Sequence, residues 1–487
     1  MKQGSNVDIK ELLTEIEREA CRSSLFEFIK SFWSVIIPED PVYNWHIPFL
    51  CSELEKLARV IVAREPKPYD LIINVPPGTS KSTIVTIMFP AWLWTQDPTI
   101  RIISNSYSAD LSIEHATKSR DIITSDKYRR LFPEVVLRRD KSGKGNYENT
   151  STGARYTTST GGTITGKHAH VIINDDPLNP AQAYSDTQRT TANEHTKTLA
   201  SRKVNKKNTP TITIMQRLHE DDVTGYLLGK KSDKIRHLNM PAELSEKVLP
   251  PEIRPMYIDG LLDPVRLDRE TLQEQKTDLG SRAYSGQYDQ DPIADGGNII
   301  KRDWYPVISR GDFERLHQYE PIHFWADTAY TENSKDNDPT GLLAACQVGR
   351  TIYILNAKKV FYDFPTLIEF LPRWLLDNGY SDDSSFRVEP KANGISVIQT
   401  LTRAGLNVIK TPPPRDDKKT RIVAASPTIE AGRVVLVADS WNEEYLDEVT
   451  GFPARKHDEY VDLTGYVVDY YNNAEGEAQS DLDDYFN

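Results

Sequence analysis

Hydrophobic positions in the first half of the chain alternate between two patterns. Across residues 8–36 and 47–62, apolar side chains recur every three to four positions, which predicts amphipathic helices. Short runs rich in Ile and Val, each bounded by polar or turn-forming residues, predict buried strands instead. Strands that alternate with helices in this way indicate an α/β domain built on a parallel sheet. The predicted strands cover residues 71–75, 101–106, 171–175 and 209–215.

The pattern changes beyond residue 235. Residues 235–315 are rich in Pro, Asp and Gly, which is typical of connecting segments, and contain one predicted short helix at 268–280. Strand and helix patterns then return in a new order, so a second α/β domain is expected, and it begins with a meander of three strands. The predicted strands are 323–327, 341–347, 351–355, 386–389 and 407–409, and the predicted helices are 365–378, 394–404 and 460–471.

Length, composition and charge narrow the class of protein. A chain of 487 residues exceeds one hydrophobic core, so two or three domains are expected. With 38% hydrophobic and 27% charged residues, no apolar run near the ~18 residues of a membrane span and no apolar signal core, a soluble globular protein is predicted. Cys21, Cys51 and Cys346 lie too far apart for a metal or redox motif, which favours a reduced, cytosolic protein without structural zinc. The net charge of -12 argues against a surface that binds nucleic acid throughout, but it leaves a local basic groove open.

Residues 71–84, LIINVPPGTSKSTI, are the first segment with recognisable chemistry. An apolar strand meets a Pro-Pro-Gly turn, and Lys81 and Ser82 then begin a helix, which is the order found in phosphate-binding loops. Backbone N–H groups and the helix dipole attract phosphate at a helix N-terminus, and a lysine adds positive charge. We therefore predict ATP binding here, with the Ser82 hydroxyl on Mg²⁺. The predicted ATP-binding residues are Pro77, Gly78, Thr79, Ser80, Lys81, Ser82 and Thr83.

This loop departs from the usual G-x-x-x-x-G-K-[ST] pattern. Val75 and Ser80 occupy the positions of the two glycines, and two prolines remove possible N–H donors. An ordinary Pro-Gly turn is therefore the alternative at this point. Upstream, the side chains of Asn44, Trp45 and His46 either hold an adenine ring or cap a packed helix.

A second apolar strand ends in two carboxylates, Asp175 and Asp176. Ligands of open α/β sheets bind at the carboxyl ends of the strands. Asp175 is predicted to hold Mg²⁺, and Asp176 is predicted to orient the attacking water, although P-loop motors usually carry a glutamate at that position. Gln216, at the end of the next strand, is predicted to sense the γ-phosphate, and an ordinary solvated strand end is the alternative.

Several segments resemble, in order, one protein family, the large terminase subunit of tailed bacteriophages. That protein is a motor and nuclease that packages viral DNA. The resemblance extends from about residue 41 to about residue 462. The segments that carry it are PPGTSKS, STGGTITGKHAHVIINDDP, IMQRLHEDDVTG, VEPKANG, SPTIEAGRVVL and FPARKHDEYVD.

The resemblance implies an N-terminal P-loop ATPase domain of the additional-strand, RecA-like class and a C-terminal nuclease domain of the RNase H-like fold. The strand and helix order of the second half matches that plan. We expect the ATPase domain at residues 1–240, a connecting region at 241–315, the nuclease domain at 316–472 and an acidic, disordered tail at 473–487.

Nuclease chemistry of this kind uses two divalent ions held by carboxylates. Asp327 and Glu389 end predicted strands and Asp458 precedes the last helix, so these three are the predicted catalytic and metal-binding acids. Asp462 lies one helical turn beyond Asp458 and is predicted to support or replace it. Mg²⁺ is the expected ion, with Mn²⁺ as an alternative at the nuclease site.

The family also implies partners and a location. The partners are double-stranded DNA, the portal protein, the small terminase subunit and further copies of the chain in a ring on the portal, while a monomer is expected in solution. No membrane is involved, and the expected location is the host bacterial cytoplasm, transiently at the procapsid portal and not in the mature virion. In such rings an arginine reaches the neighbouring ATP, and Arg101, Arg120 and Arg155 are the candidates.

Two other functions remain open on sequence. One is a P-loop translocase or helicase whose C-terminal half binds DNA without cutting it. The other is a nuclease with a degenerate ATP site, which Val75, Ser80 and Asp176 suggest.

Overall fold

The computed structural model describes residues 9–230, 234–294, 298–317, 319–328, 339–414, 416–454 and 457–486, with side chains up to residue 474. The chain forms two compact units. Unit 1 comprises residues 1–274 and 282–294, and unit 2 comprises residues 275–281 and 295–487. The residues of the predicted connecting region, 241–315, are divided between the two units.

Unit 1 contains an eight-stranded sheet in the order β3-β4-β5-β2-β6-β7-β1-β8. From β5 to β8 in this order neighbouring strands run parallel, whereas β3, β4 and β5 pair antiparallel at the edge. The strands are β1 (Asp70–Asn74), β2 (Arg101–Ser106), β3 (Leu137–Ser142), β4 (Tyr147–Asn149), β5 (Ala154–Ser159), β6 (Val171–Asp175), β7 (Thr211–Met215) and β8 (Ile235–Asn239).

One strand, β7, lies between the strand that precedes the phosphate loop and the strand that ends in Asp175. This is the additional-strand arrangement, so the fold class predicted for the first half is confirmed. All five residues of β6 are buried, as expected for a central parallel strand.

The helices of unit 1 pack around a core of aliphatic and aromatic side chains that includes Phe28, Leu54, Ile73 and Val85. The helix that Lys81 begins is π-helical over Thr83–Met88, and π-helical turns are frequent at functional sites. Short 3₁₀ helices form at Pro180–Gln182 and Pro251–Met256. The α-helices are α1 (Ile9–Ser23), α2 (Leu25–Ile36), α3 (His46–Ala63), α4 (Phe89–Gln96), α5 (Ala109–Thr124), α6 (Asp126–Leu131), α7 (Asp186–Ala200) and α8 (Val223–Gly229).

Unit 2 contains a seven-stranded sheet in the order β14-β13-β10-β11-β12-β15-β9. The meander β10-β11-β12 is antiparallel, and β13 and β14 continue the sheet parallel to β10. This is the RNase H-like strand order, so the second part of the fold prediction is also confirmed. The strands are β9 (Val307–Ile308), β10 (His323–Asp327), β11 (Thr340–Val348), β12 (Thr351–Val360), β13 (Phe386–Val388), β14 (Val408–Lys410) and β15 (Val434–Val437).

The last helix of unit 2 is longer than predicted. It continues through residues 473–486, where the acidic composition predicts disorder, and the Ala, Glu and Gln residues of that stretch favour helix. A short 3₁₀ helix forms at Arg302–Trp304. The remaining α-helices are α9 (Arg269–Gln287), which contributes to both units, α10 (Arg310–Leu316), α11 (Phe364–Asp377), α12 (Gly394–Arg403), α13 (Lys418–Glu430), α14 (Asn442–Gly451) and α15 (Glu459–Phe486).

All three cysteines are buried and form no disulfide. In the described parts of both units, no helix combines the length and the apolar character needed to cross a membrane.

Candidate functional site

The phosphate loop follows β1 at the carboxyl edge of the parallel strands. Gly78 and Ser80 have positive φ values of 75° and 61°. Thr79, between them, is fully buried and donates its hydroxyl to the carbonyl of Pro76 at 2.7 Å. Glycine adopts such φ values freely, whereas serine does so with backbone strain. The side chains of Pro77, Ser82 and Thr83 are half-buried.

The two predicted carboxylates face the start of the helix that follows this loop. Ser82 Oγ donates to Asp175 Oδ1 at 3.0 Å, and Lys81 Nζ lies 3.2 Å from Asp176 Oδ2. Asp175 is fully buried, and burial, followed by the charge of Asp176, raises its pKa. Asp176 itself has a positive φ of 40°, which turns the chain sharply after β6. The structure therefore brings four predicted residues together.

Gln216 joins this group through its backbone. Its N–H group donates to Asp176 Oδ1 at 3.4 Å, while its side chain is buried. Since Gln216 follows β7, the site is built at the ends of β1, β6 and β7, which are adjacent in the sheet.

Two buried residues near Asp175 were not predicted as members of the site. His115 Nδ1 lies 3.4 Å from Asp175 Oδ2, and burial lowers the pKa of His115 to about 4, so its ring is neutral at pH 7. Arg155 is fully buried and donates to the carbonyl of Thr86, in the π-helical segment, at 2.7 Å. The suggestion that Arg155 reaches a neighbouring chain is therefore wrong, because its guanidinium is enclosed in unit 1. Neither residue belongs to a sequence motif that could have identified it.

Upstream of the loop, His46 is fully buried and its Nε2 lies 3.1 Å from the carbonyl oxygen of Thr79. Its ring therefore supports the phosphate loop from behind. Of the two interpretations of Asn44, Trp45 and His46, the buried position of His46 favours the packed helix over contact with an adenine ring.

In unit 2, Asp327 ends β10 and Glu389 follows β13, which is paired with β10. The N–H group of Glu389 donates to the carbonyl of Ala326 at 3.4 Å, so the two acids lie side by side at one sheet edge. Burial, followed by the charges of Asp462 and Glu389, raises the pKa of Asp327 to about 7.

The third acid of this cluster is Asp462. Its side chain is 11% exposed, against 39% for Asp458, and its charge is the one that most raises the pKa of Asp327. Asp458 immediately precedes the first residue of α15. Lys418 Nζ joins the two acids, at 2.5 Å from Asp458 Oδ1 and 2.6 Å from Asp462 Oδ2. The structure thus favours Asp462 over Asp458 as the partner of Asp327 and Glu389.

Basic and aromatic groups surround the cluster. Lys391 Nζ lies 2.5 Å from Glu389 Oε1, and Tyr466 donates its hydroxyl to Glu389 Oε2 at 3.2 Å. Arg421 pairs with Asp462. The position of Tyr466, four residues after Asp462 in a predicted helix, was the only signal in the sequence for its place here.

Two observations bear on metal binding. Asp175 Oδ2 is buried without a hydrogen bond to any described residue, and Asp327 carries a raised pKa among other carboxylates, so a divalent cation suits the donor chemistry of both places. In the described residues, however, no three His, Cys, Asp or Glu side chains are already arranged as a metal site. The metal ligands therefore stay predictions.

No protein-family model matches the sequence, and no curated protein is similar enough to count as a relative. Large terminases are among the solved structures that align with it. The large terminase of a thermophilic bacteriophage, in complex with ADP, aligns with a TM-score of 0.48 and 12% identity, over 85% of this chain and 98% of that one. The HK97 bacteriophage large terminase aligns with a TM-score of 0.38 and 12% identity, over 92% and 99%. The large terminase nuclease of thermophilic phage G20c with bound magnesium aligns with a TM-score of 0.27 and 12% identity, over 36% and 97%. At such TM-scores, a functional argument depends on the contacts within this chain.

The raised pKa of Asp327 predicts a pH-dependent effect on stability. A carboxyl group with a folded pKa of about 7 instead of 3.8 makes the folded state less stable as the pH rises through this interval. We expect Asp327→Asn to raise the melting temperature in EDTA at pH 8, by about 2–4 °C for each kcal/mol recovered. The gain should shrink at pH 4.5, roughly where the unfolded carboxyl titrates.

Thermal melts at both pH values measure this effect. Asp382→Asn, at an exposed position, is the matched control and should change little at either pH. A gain from Asp327→Asn that is equal at both pH values would show that the buried charge is not its cause.

Proposed function

We propose that this chain is the motor and nuclease that packages double-stranded DNA into a bacteriophage procapsid. ATP hydrolysis in unit 1 drives translocation, and unit 2 cuts concatemeric DNA. One observation carries the proposal: a single chain holds two carboxylate sites at the strand edges of two different folds. The first faces a phosphate loop, and the second joins acids from two strands and a late helix.

The contacts in unit 1 suit ATP hydrolysis. Lys81 would neutralise phosphate charge at the helix start, and Asp176, 3.2 Å from it and bonded to the Gln216 N–H group, would orient the attacking water. Mg²⁺ held by Ser82 and Asp175 would neutralise the charge of the transferred phosphoryl group. The neutral ring of His115 lies 3.4 Å from the other carboxylate oxygen of Asp175.

The contacts in unit 2 suit phosphodiester cleavage. Asp327, Glu389 and Asp462 would hold Mg²⁺ or Mn²⁺, which would activate the attacking water and stabilise the leaving oxygen. Tyr466 orients the Glu389 carboxylate through its hydroxyl. Lys391, at an outer position 64% exposed, is suited to contact the DNA backbone.

The remaining parts of the proposal concern assembly. Since one subunit cannot surround a duplex, a ring of copies on the portal protein follows from a packaging function, with the small terminase subunit as a further partner. The site of action is then the host bacterial cytoplasm at the procapsid portal. Arg101 and Arg120 are the remaining candidates for the arginine that reaches a neighbouring ATP.

The two activities should separate by mutation. We expect Lys81→Ala to lower DNA-stimulated ATPase about 100-fold or more, because the charge on the phosphates is lost. Asp327→Ala should lower Mg²⁺-dependent plasmid cleavage by a similar factor and leave ATPase within about threefold of the unmutated chain. Phosphate release and gel assays of plasmid cleavage measure the two activities, with Lys118→Ala, whose side chain on α5 is 41% exposed, as control.

The two alternatives predict other results. Unchanged ATP turnover in Lys81→Ala would support a nuclease with a degenerate ATP site. Absence of cleavage by the unmutated chain with Mg²⁺ or Mn²⁺ would support a translocase without a nuclease.

The third metal-binding acid can be identified in the same cleavage assay. We expect Asp462→Asn to reduce cleavage about 100-fold, since Asp462 is buried beside Asp327. Asp458→Asn should reduce it less than tenfold, because Asp458 is more exposed and lies before α15. The reverse order of the two effects would restore Asp458 as the ligand. Far-UV circular dichroism checks that both variants fold.

A further inference from the structure

The phosphate loop is held from behind by side chains outside every recognised motif. Arg266 lies in the stretch that the sequence suggested as a connecting region, yet it belongs to unit 1. Its Nη1 donates to Ser80 Oγ at 2.9 Å and to the carbonyl of Gly78 at 3.3 Å. Its Nη2 donates to the carbonyl of Val42. One guanidinium therefore links the phosphate loop to the segment that precedes α3.

Arg266 is itself held in place. Its Nε lies 3.0 Å from Oδ2 of Asp263, which is fully buried, and the side chain of Arg266 is 22% exposed. The N–H group of Arg266 also donates to Asp263 Oδ1 at 3.3 Å. A buried carboxylate is costly without a charged partner, and the Arg266 guanidinium supplies one for Asp263.

A second side chain completes the support. His46 lies 3.1 Å from the carbonyl of Thr79, which can only accept, so Nε2 carries the proton and donates. Nδ1 then accepts from the amide of Asn44 at 3.2 Å, which fixes the same tautomer. Arg266 and His46 thus bind the carbonyls of two consecutive residues of the loop.

These two contacts orient the groups that matter for phosphate. In a planar trans peptide, the C=O and the N–H of the next residue point in opposite directions. With the carbonyls of Gly78 and Thr79 directed to Arg266 and His46, the N–H groups of Thr79 and Ser80 point away from them. Backbone N–H groups that point away from these supporting side chains are available to an anion.

Ser80 makes the support necessary. It occupies the position of the second glycine in the usual pattern and has a φ of 61°, a value that costs a serine free energy and a glycine little. The hydrogen bond from Arg266 to Ser80 Oγ holds the side chain of this same residue.

We propose that Arg266 is a positioning residue for nucleotide binding, which holds Ser80 in its left-handed conformation and replaces the conformational freedom of the missing glycine. The proposal rests on the proposed ATPase function. It adds that Arg266 and Ser80 act as a pair, so the effect of one depends on the identity of the other.

A double-mutant cycle on the full chain tests this proposal. The dissociation constant of a fluorescent ATP analogue with Mg²⁺ and the kcat and KM of ATP hydrolysis are measured for Arg266→Gln, Ser80→Gly and the double variant. We expect Arg266→Gln to weaken nucleotide binding about tenfold, since a charged hydrogen bond is lost, and to raise KM more than it lowers kcat. In the Ser80→Gly background, the same change should weaken binding about threefold or less, because glycine needs no support at positive φ.

Further variants keep the test decisive. Arg266→Lys should recover only part of the affinity, because an ammonium cannot make the fork of bonds to Asp263 and the loop. If Arg266→Gln does not fold, Ser80→Ala replaces it, since it removes the hydroxyl and keeps the strain, and it should weaken binding more than Ser80→Gly does.

Equal effects of Arg266→Gln in the unmutated chain and in the Ser80→Gly background would overturn the proposal, as would equal binding by Ser80→Ala and Ser80→Gly. Lys81→Ala separates this failure from failure of the ATPase function. If Lys81→Ala binds the analogue as tightly as the unmutated chain, the ATP site itself is refuted. If Lys81→Ala loses affinity but the effects of Arg266→Gln and Ser80→Gly simply add, ATP binding at this loop is supported and the positioning role of Arg266 is refuted.

Discussion

A buried carboxylate at the end of a strand destabilises the folded protein unless positive charge lies beside it. Both units bury such a carboxylate at the edge of their sheet. In unit 1, Asp175 is fully buried. In unit 2, burial and the charges of nearby acids raise the pKa of Asp327 to about 7. Lysines lie close to each cluster, Lys81 at Asp176 and Lys418 at Asp462. Ionisable groups that stay buried despite this cost to stability are therefore candidates for functional residues.

The fold could be predicted well because its strands are short apolar runs with clear ends. The strand 101–106 and the strand that ends in Asp327 have the bounds expected from hydrophobicity alone. Two weaker elements were not predicted. The strand β15 has only four residues, and α13 contains Pro427, a residue that argues against a helix in a sequence pattern. The acidic end of the chain shows two opposing signals, because its charge favours disorder while its Ala, Glu and Gln residues favour the helix that α15 continues.

The site in unit 1 was easier to predict than the site in unit 2, for a geometric reason. Asp175 and Asp176 are neighbours in sequence, and the contacts of Lys81 and Ser82 with them follow from the order of strand, loop and helix. In unit 2 the third acid comes from the first turn of a helix. Asp458 and Asp462 are one helical turn apart, so the sequence pattern alone does not separate them, and helix starts are the least certain feature of such a pattern.

The departures of the phosphate loop from the usual pattern suggested a degenerate ATP site, and the structure supplies an argument against that interpretation. Ser80 is strained, but Arg266 binds its hydroxyl and Asp263 is buried to hold Arg266. Asp176 is shorter than the usual glutamate, but the Lys81 side chain and the Gln216 N–H group both contact it. A turn with no phosphate to bind would gain nothing from a buried ion pair that supports a serine at positive φ. The departures at Ser80 and Asp176 are therefore each matched by a contact from a residue that is distant in sequence, which argues for a site that still binds phosphate.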